Sequence, residues 1–247
     1  MEAPFLVTAA EPRQRWRMAY GRSIEAPHLA PRDQLAAWEQ ALTASGLPIV
    51  GLDVQPRRPR IAFAAPLGVG LPADRELADL FLTDRRPVAE VREALAGNLP
   101  GGHVLVGLHD VWLGAPALAG QVVAADYRAR VTVDGSLAAG PQNLADAARR
   151  LLTETSLPRT RDKGGRPILY DLRPLLADIV LTDIEIRAGG APPIEGAIVE
   201  LRIRVRFDPE RGMGRPEEVL AALAESAGVG LSFKSLVRER VLLARGD

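Results

Sequence analysis

The chain has 247 residues, 47% of them hydrophobic, which is enough to bury a substantial core in one large domain or two small ones. Its 31 basic residues balance its 31 acidic residues, so no whole-molecule field attracts nucleic acid or anionic membranes, and any electrostatic site is a local patch. The absence of cysteine excludes disulfides, thiolate catalysis, iron–sulfur clusters and thiolate zinc sites. Because the sequence also shows no signal peptide and no membrane-length apolar run, we expect a cytoplasmic protein without a membrane partner.

The first half of the chain predicts the order β, α, β, β, α, β. Trp16, Met18 and Tyr20 alternate with polar residues, as in a strand with one buried face. A helix follows, with Pro31 in its first turn and a stop at Gly46. Similar signals predict the remaining elements, which are extended segments at 60–63 and 77–82, a helix at 87–97 and a strand at 103–108.

The second half repeats this order. Its clearest strand spans 199–207, where apolar residues alternate with Glu200 and three arginines. The other predicted elements are a strand at 127–133, a helix at 143–153, extended segments at 169–172 and 179–186, a helix at 217–225 and a strand at 237–243. We therefore predict an α+β fold of two ferredoxin-like βαββαβ modules with antiparallel sheets, residues 1–119 and 120–247.

Two patterns that would suggest a cofactor or a metal lack the context they need. The stretch 68–73 has the spacing of a dinucleotide-binding turn, but such a turn leads straight into a helix, and prolines with a second extended segment surround this one. The three histidines, His28, His103 and His109, show no metal-ligand spacing. We predict no cofactor and no metal site.

Arginine supplies the best local chemistry in the sequence. Arg202, Arg204 and Arg206 occupy alternate positions of one strand and would share a face as a ladder, which Arg15 and Arg17 or Arg128 and Arg130 would extend. Such a surface can hold phosphates, or it can be a solvated face. The usual RNA-binding sheet also presents exposed aromatic rings, whereas the strand aromatics here fall in the apolar register.

Two further segments concentrate basic residues and are candidates for binding nucleic acid. The first is a glycine-containing loop with Arg159, Arg161, Lys163 and Arg166, followed by Arg173; the second is Arg57, Arg58 and Arg60, just before a strand. A loop of this kind can wrap a phosphate backbone with amides and cations together. It can equally be a flexible solvated loop, and the sequence leaves both interpretations open.

Several motifs resemble those of a known family. They are Gly46-Leu47-Pro48, the segment from Pro59 to Gly70, Glu76-Leu77-Ala78-Asp79, Asp171-Leu172-Arg173-Pro174-Leu175 and the helix from Arg215 to Leu220. Over roughly Arg15 to Leu243 the chain resembles the uncharacterised radical-SAM-associated protein family, a domain of unknown function encoded beside, or fused to the C-terminus of, radical SAM proteins with a cobalamin-type domain. The resemblance implies a radical SAM protein as partner, and the family's frequent neighbours implicate RNA or ribosomal components.

The chain departs from that family at its polar positions. The family's Ser-His-Leu-Asp falls on Ala30-Pro31-Arg32-Asp33, which keeps only the aspartate, and its Gly-Phe-x-Pro falls on Val54-Gln55-Pro56-Arg57. A diverged member with an altered role is therefore expected. Without cysteine the chain would be the companion of the radical enzyme and not the enzyme itself.

Three functional hypotheses follow. The leading one is a non-catalytic accessory or substrate-presenting module that partners a radical SAM enzyme acting on RNA or the ribosome. The second is an RNA-binding or RNA-processing and RNA-modifying enzyme that uses an aspartate, with Asp33 and Asp171 as catalytic candidates. The third is a scaffold whose sheets bind protein.

Overall fold

The structure, a computed structural model, describes residues 10–134, 141–162, 164–185 and 197–244. The chain divides into two compact units, Met1–Val122 and Val123–Asp247. The described residues form four α-helices and eleven strands, and the strand pairs are mostly antiparallel. The predicted α+β class is therefore confirmed. None of the described helices is long and apolar enough to span a membrane.

The first unit has its elements in the order that the sequence predicts. They are β1 (Gln14–Arg22), α1 (Pro31–Ala44), β2 (Ile61–Phe63), β3 (Ala73–Leu82), α2 (Val88–Ala96) and β4 (His103–Val111). The central strand β1 pairs antiparallel with β3 on one side and β4 on the other, and β2 pairs with β3. The resulting spatial order is β4-β1-β3-β2.

The core of the first unit lies between one face of this sheet and the two helices. Trp16, Met18 and Tyr20 project from alternate positions of β1 into the core, as their spacing predicts. Pro31 at the first position of α1 is compatible with a helix start, and Trp38 on the same helix is fully buried. The hydrophobic pattern therefore decides which side of β1 faces the helices.

The opposite face of β1 is also buried, and this face differs from the expectation. Arg15 and Arg17, which the sequence offers as an extension of an exposed arginine ladder, are 2% and 6% exposed. Both donate hydrogen bonds to the fully buried carboxylate of Asp79 on β3, with Arg17 Nε 2.8 Å from Oδ1 and Arg15 Nη2 2.5 Å from Oδ2. Arg15 also donates to the carbonyl oxygens of Ala115 and Pro116. The two arginines therefore join β1 to β3, and Arg15 also joins β1 to the segment with Ala115 and Pro116.

The second unit contains the remaining elements. They are β5 (Val122–Asp134), α3 (Pro141–Thr153), β6 (Pro158–Asp162), β7 (Pro167–Asp171), β8 (Leu176–Glu185), β9 (Ile198–Asp208), β10 (Gly212–Met213), α4 (Pro216–Ala227) and β11 (Gly230–Leu243). Four long strands lie in the order β11-β5-β9-β8, and β10 also pairs with β9. The strands β6 and β7 form a separate two-stranded hairpin.

The sequence interpretation was wrong about the secondary structure of the segment that forms the hairpin. Arg159 and Arg161 were expected in a loop, but they lie on β6, which pairs with β7. The strand β9 matches its prediction, because Leu201 and Ile203 are fully buried while Arg202 between them is exposed. The polar and apolar faces of this sheet are therefore those that the alternation predicts.

Candidate nucleic-acid interface

The hairpin of β6 and β7 gathers basic and aromatic side chains on one face. Arg159 lies opposite Tyr170 and Arg161 opposite Ile168, and residues paired in this way project from the same side of a ribbon. The turn between the strands contains Gly164 and Gly165 at φ values of 65° and 80°, a backbone conformation that favours glycine. Lys163, the remaining basic candidate of this segment, lies outside the described residues.

Arg161 and Tyr170 form a stacked pair. The guanidinium carbon of Arg161 lies 4.7 Å from the centroid of the Tyr170 ring. The Tyr170 hydroxyl donates a hydrogen bond to the Glu218 carboxylate on α4, which anchors the ring. Burial and this carboxylate raise the pKa of Tyr170, so the hydroxyl stays a neutral donor. Within the described side chains no carboxylate forms an ion pair with Arg161, so its positive charge is available for a ligand.

The other basic residues of the hairpin differ in how far they are engaged. Arg159 forms an ion pair of 3.0 Å with Glu225 on α4, so it fastens the ribbon to the helix. Arg166 is exposed beside the turn, and the part of the chain that the structure describes offers it no ion pair. Leu169 on β7 is 73% exposed. The outer part of the hairpin therefore presents a cation and an apolar side chain to solvent.

Arg173 and Asp171, which follow the hairpin, are engaged with the backbone. Arg173 donates hydrogen bonds to the carbonyl oxygens of Leu152, Glu154 and Leu176. Leu152 lies in the last turn of α3 and Glu154 directly follows the helix, where a cation is favourable. Asp171 accepts the backbone N–H groups of Leu157 and Arg173. Desolvation alone would raise the pKa of Asp171, but these N–H groups hold it below its usual value. The geometry gives both side chains a structural role.

The arginine ladder of β9 is compensated by acidic residues at its centre. Arg204 donates two hydrogen bonds to Asp126 on β5, at 2.6 and 3.0 Å, and Arg240 donates a third at 3.0 Å. The Asp126 side chain is only 2% exposed. Desolvation would raise its pKa, but the hydrogen bonds from Arg204 and Arg240 keep the pKa below the usual range. One buried carboxylate thus ties two guanidinium groups to the sheet.

The two ends of the ladder are engaged as well. Arg202 and Arg128 both form ion pairs with Glu239, at 3.1 and 3.0 Å. Arg206 donates to the carbonyl oxygens of Pro174 and Leu176. The three ladder arginines therefore share a face, as expected, but each already has a partner. Their sequence pattern alone does not reveal this, because the acidic partners come from other strands.

The segment with Arg57, Arg58 and Arg60 forms an exposed loop of the first unit. The guanidinium of Arg60 lies 4.0 Å from the centroid of the Phe81 ring. The loop closes tightly, because a Cβ on Gly51 would come within 2.1 Å of the Arg58 carbonyl oxygen. Arg57 and Arg58 have no ion pair within the described residues, which makes this loop a second basic patch.

The remaining candidates lie apart from these patches. Asp33 is exposed in the first turn of α1, where a negative charge interacts favourably with the helix dipole. Among the histidines, His103 is half-buried, and His28 packs against Gly70. Within the described ranges no three His, Asp or Glu residues are grouped so that they would hold a metal ion.

The sequence interpretation missed the role of Tyr170. Its signal was a pair of glycines flanked by two five-residue segments, which indicates a hairpin and sets its register. That register puts Tyr170 on the face of Arg161. The structure therefore brings an aromatic ring to the basic segment, whereas the aromatic residues of β1 and β5 are buried.

Comparisons with known proteins give weak structural similarity. Three solved structures resemble the chain at 12% sequence identity: a Cbf5–Nop10–Gar1 complex (TM-score 0.47, 91% of this chain and 48% of that chain), an archaeal box H/ACA sRNP Nop10–Cbf5 complex (0.43, 91% and 47%) and an H/ACA RNP bound to a substrate RNA containing 2′-deoxyuridine (0.42, 90% and 47%). The chain spans about half the length of the chains it matches. No curated protein matches it. The model of the family described as "Uncharacterized protein conserved in bacteria (DUF2344)" matches residues 15–207, and the chain therefore belongs to this family.

Proposed function

We propose that the chain is a nucleic-acid-binding accessory module that presents RNA to a partner enzyme. The observation that carries the proposal is the Arg161 guanidinium stacked on the anchored Tyr170 ring. Proteins that bind single-stranded RNA stack bases on aromatic rings and on arginine planes. A guanidinium that covers a ring with one face offers its other face to a base. This pair supplies a stacking component that the buried aromatic residues of β1 and β5 cannot supply.

The surroundings of the pair support the same function. Arg166 at the turn offers a cation for a phosphate group. Arg215, which is exposed at the start of α4, lies near Tyr170, where its charge partly offsets the rise that burial and Glu218 cause in the pKa of Tyr170. Arg202 and Arg204 of the ladder are paired with Glu239 and Asp126, whereas Arg161 and Arg166 have no ion pair within the described residues, so the hairpin is a better candidate than the sheet face. RNA binding at the hairpin would therefore depend on a few side chains, those of Arg161, Tyr170, Arg166 and Arg215.

The proposed partner is a radical SAM protein, as the sequence resemblance implies. The family match supports a family of unknown function and does not address this association. The absence of cysteine from the chain is consistent with a division of labour in which the partner carries the cluster. RNA or a ribosomal component would be the substrate presented.

We also propose that each unit is a ferredoxin-like module, with the boundary at residues 119 and 120. The first unit has the strand order β4-β1-β3-β2, and the second has β11-β5-β9-β8. Numbered within each unit, and with the hairpin and β10 set aside, both orders are 4-1-3-2. The hairpin is then an insertion between the first helix and the second sheet strand of the second module.

Substitution of Arg161 tests the RNA proposal. We expect Arg161→Ala to weaken binding of a single-stranded RNA by about 5- to 150-fold, because stacking is worth about 1–3 kcal/mol per base. Arg161→Lys keeps the charge but loses the plane, so it should lose most of the same affinity. The measurement is fluorescence anisotropy with a labelled oligonucleotide.

The matched control for this measurement is Arg149→Ala. Arg149 is an exposed arginine of the same unit, on α3, and is paired with Asp146. Its removal should leave RNA affinity within about twofold of the parent. Equal losses in Arg161→Ala and Arg149→Ala, or no RNA binding by the parent protein, would refute the hairpin as an RNA site.

Co-purification from native cells tests the partner. The expected result is enrichment of a radical SAM protein together with RNA when the full chain is captured. Loss of the RNA after Arg161→Ala, with the protein partner retained, would separate the two interactions. Capture of a partner that is insensitive to salt, without RNA, would indicate a protein-binding scaffold instead.

A further inference from the structure

The first unit contains an apolar pocket that the RNA proposal does not use. Its volume is about 470 Å³, and residues of β1, α1 and β2 line it. Tyr20, Trp38 and Phe63 form the inner wall, and the exposed residues Leu35 and Ala119 lie at the lip. No lining residue is an acid, a lysine, an arginine or a histidine. Small-molecule sites have volumes of about 300–1,000 Å³ and mostly apolar, aromatic walls.

The aromatic wall is held by edge-to-face packing. The Trp38 ring centroid lies 4.9 Å from that of Tyr20 and 5.6 Å from that of Phe63, with interplanar angles of 65° and 67°. His103 adds a fourth ring, 5.3 Å from Trp38. Rings packed in this way restrict one another, so the wall of the pocket is preformed.

Two polar atoms of this ring cluster lack hydrogen-bond partners. Trp38 Nε1 and His103 Nε2 are both buried and unpaired within the described residues. His103 Nδ1 lies 3.2 Å from the carbonyl oxygens of Pro100 and Gly101, so Nδ1 carries the proton and Nε2 is an acceptor. The cluster thus holds one unmet donor and one unmet acceptor. Both atoms are closed off from solvent and His103 does not line the pocket, so neither atom is a hydrogen-bond partner for a molecule bound there.

We propose that this pocket binds a small, flat, uncharged heterocyclic or aromatic molecule with an amide-type edge. The flat rings of Tyr20, Trp38 and Phe63 match a flat ligand. The uncharged lining offers no counter-ion, so an ionised ligand would lose its hydration without compensation. The side-chain amide of Gln34, which also lines the pocket, offers both a donor and an acceptor to a complementary edge.

Nuclear magnetic resonance of the tryptophan indole groups tests this site. The protein contains three tryptophans, Trp16, Trp38 and Trp112, so three indole N–H signals report on three places. Millimolar nicotinamide, benzamide and adenine are the probes. At least one should shift the Trp38 signal in a saturable way and leave Trp16 and Trp112 unchanged. Trp16 is the internal control, because its Nε1 is also buried and unpaired but it does not line the pocket.

Two matched comparisons test the charge of the ligand and its access to the pocket. Nicotinate has the ring of nicotinamide with a carboxylate in place of the amide, and we expect it to bind at least about tenfold more weakly than nicotinamide. Ala119→Trp should fill the lip and abolish binding, whereas Ala36→Trp, on an exposed residue of α1 that does not line the pocket, should retain it. Unchanged Trp16 signals in both variants would show that the fold is intact.

The inference is overturned if none of the three probes shifts the Trp38 signal. It is also overturned if Ala119→Trp binds as well as the parent, since the ligand would then lie elsewhere. Equal affinity for nicotinate and nicotinamide would refute the uncharged ligand class. RNA is absent from every arm of the experiment, so these outcomes do not depend on the hairpin.

Discussion

At the scale of single residues, Asp126 shows how burial and pairing act together. Its carboxylate is almost fully buried, and two arginines keep its folded-state pKa below the ordinary value. A carboxylate with a lowered folded-state pKa contributes stability above its unfolded pKa of about 3.9 and loses it as the pH falls through the folded value. We expect Asp126→Asn to lower the free energy of unfolding at pH 7 by about 1–3 kcal/mol. The difference in the free energy of unfolding between Asp126→Asn and the parent should become smaller below pH 4.

Urea unfolding at pH 7 and at pH 3 measures this effect. Asp146→Asn is the matched control, because Asp146 is exposed and forms a surface ion pair with Arg149. Such pairs contribute about 0–1 kcal/mol, so the control should be close to the parent at both pH values. A gap between Asp126→Asn and the parent that is as wide at pH 3 as at pH 7 would contradict this account.

At the scale of elements, the sequence predicts strands whose apolar residues alternate. The strand β9 follows this rule, because its buried residues recur at every second position, and the apolar residues of β1 alternate in the same way although both faces of β1 are buried. The hairpin does not follow it, since β6 is the short polar segment Pro158–Asp162 and its neighbour β7 shares no long apolar face with it. Only the pair Gly164 and Gly165 indicated a turn.

The buried arginines of β1 escaped the sequence interpretation for a different reason. Arginine is almost never fully buried unless it is paired, so the sequence places Arg15 and Arg17 on an exposed face. Their partner, Asp79, lies on another strand, 64 positions after Arg15 and 62 after Arg17. A single-strand pattern contains no information about such a partner. Site residues that depend on contacts between strands therefore stay hidden, as do the acidic partners of the β9 ladder.

The Asp79 cluster leads to a prediction about the segment that it fastens. Asp79→Asn would leave two buried guanidinium groups without a carboxylate, which costs about 3–5 kcal/mol. Because Arg15 also holds the carbonyl groups of Ala115 and Pro116, we expect faster proteolysis near residues 112–117 in addition to lower stability. Glu90→Gln, which removes an exposed ion pair with Arg86, is the control and should change neither measurement. Unchanged proteolysis in Asp79→Asn would contradict the fastening role.

At the scale of the whole molecule, the 31 basic and 31 acidic residues balance, but the arginines differ in whether they form an ion pair with an acidic residue. Arg15, Arg202 and Arg204 of the sheets pair with buried or half-buried acids. In contrast, the exposed Arg57, Arg58 and Arg166 have no ion pair within the described residues. Net charge alone would argue against nucleic-acid binding. The proposed RNA site requires only a local excess of positive charge. Attraction between an arginine and a phosphate group is screened beyond about one Debye length, near 8 Å at physiological salt.

This distribution predicts how RNA affinity depends on salt. Each phosphate contact with single-stranded RNA adds about 0.7 to the slope of log affinity against log salt concentration, so a few unpaired arginines should give a shallow slope. Arg166→Ala should reduce the slope by about 0.7. Arg202→Ala should leave it unchanged, because that arginine is already paired with Glu239. Anisotropy titrations between about 50 and 200 mM salt measure both slopes. An equal reduction in Arg202→Ala would mean that RNA displaces the acidic partners and binds the sheet face, which would move the interface from the hairpin to the ladder.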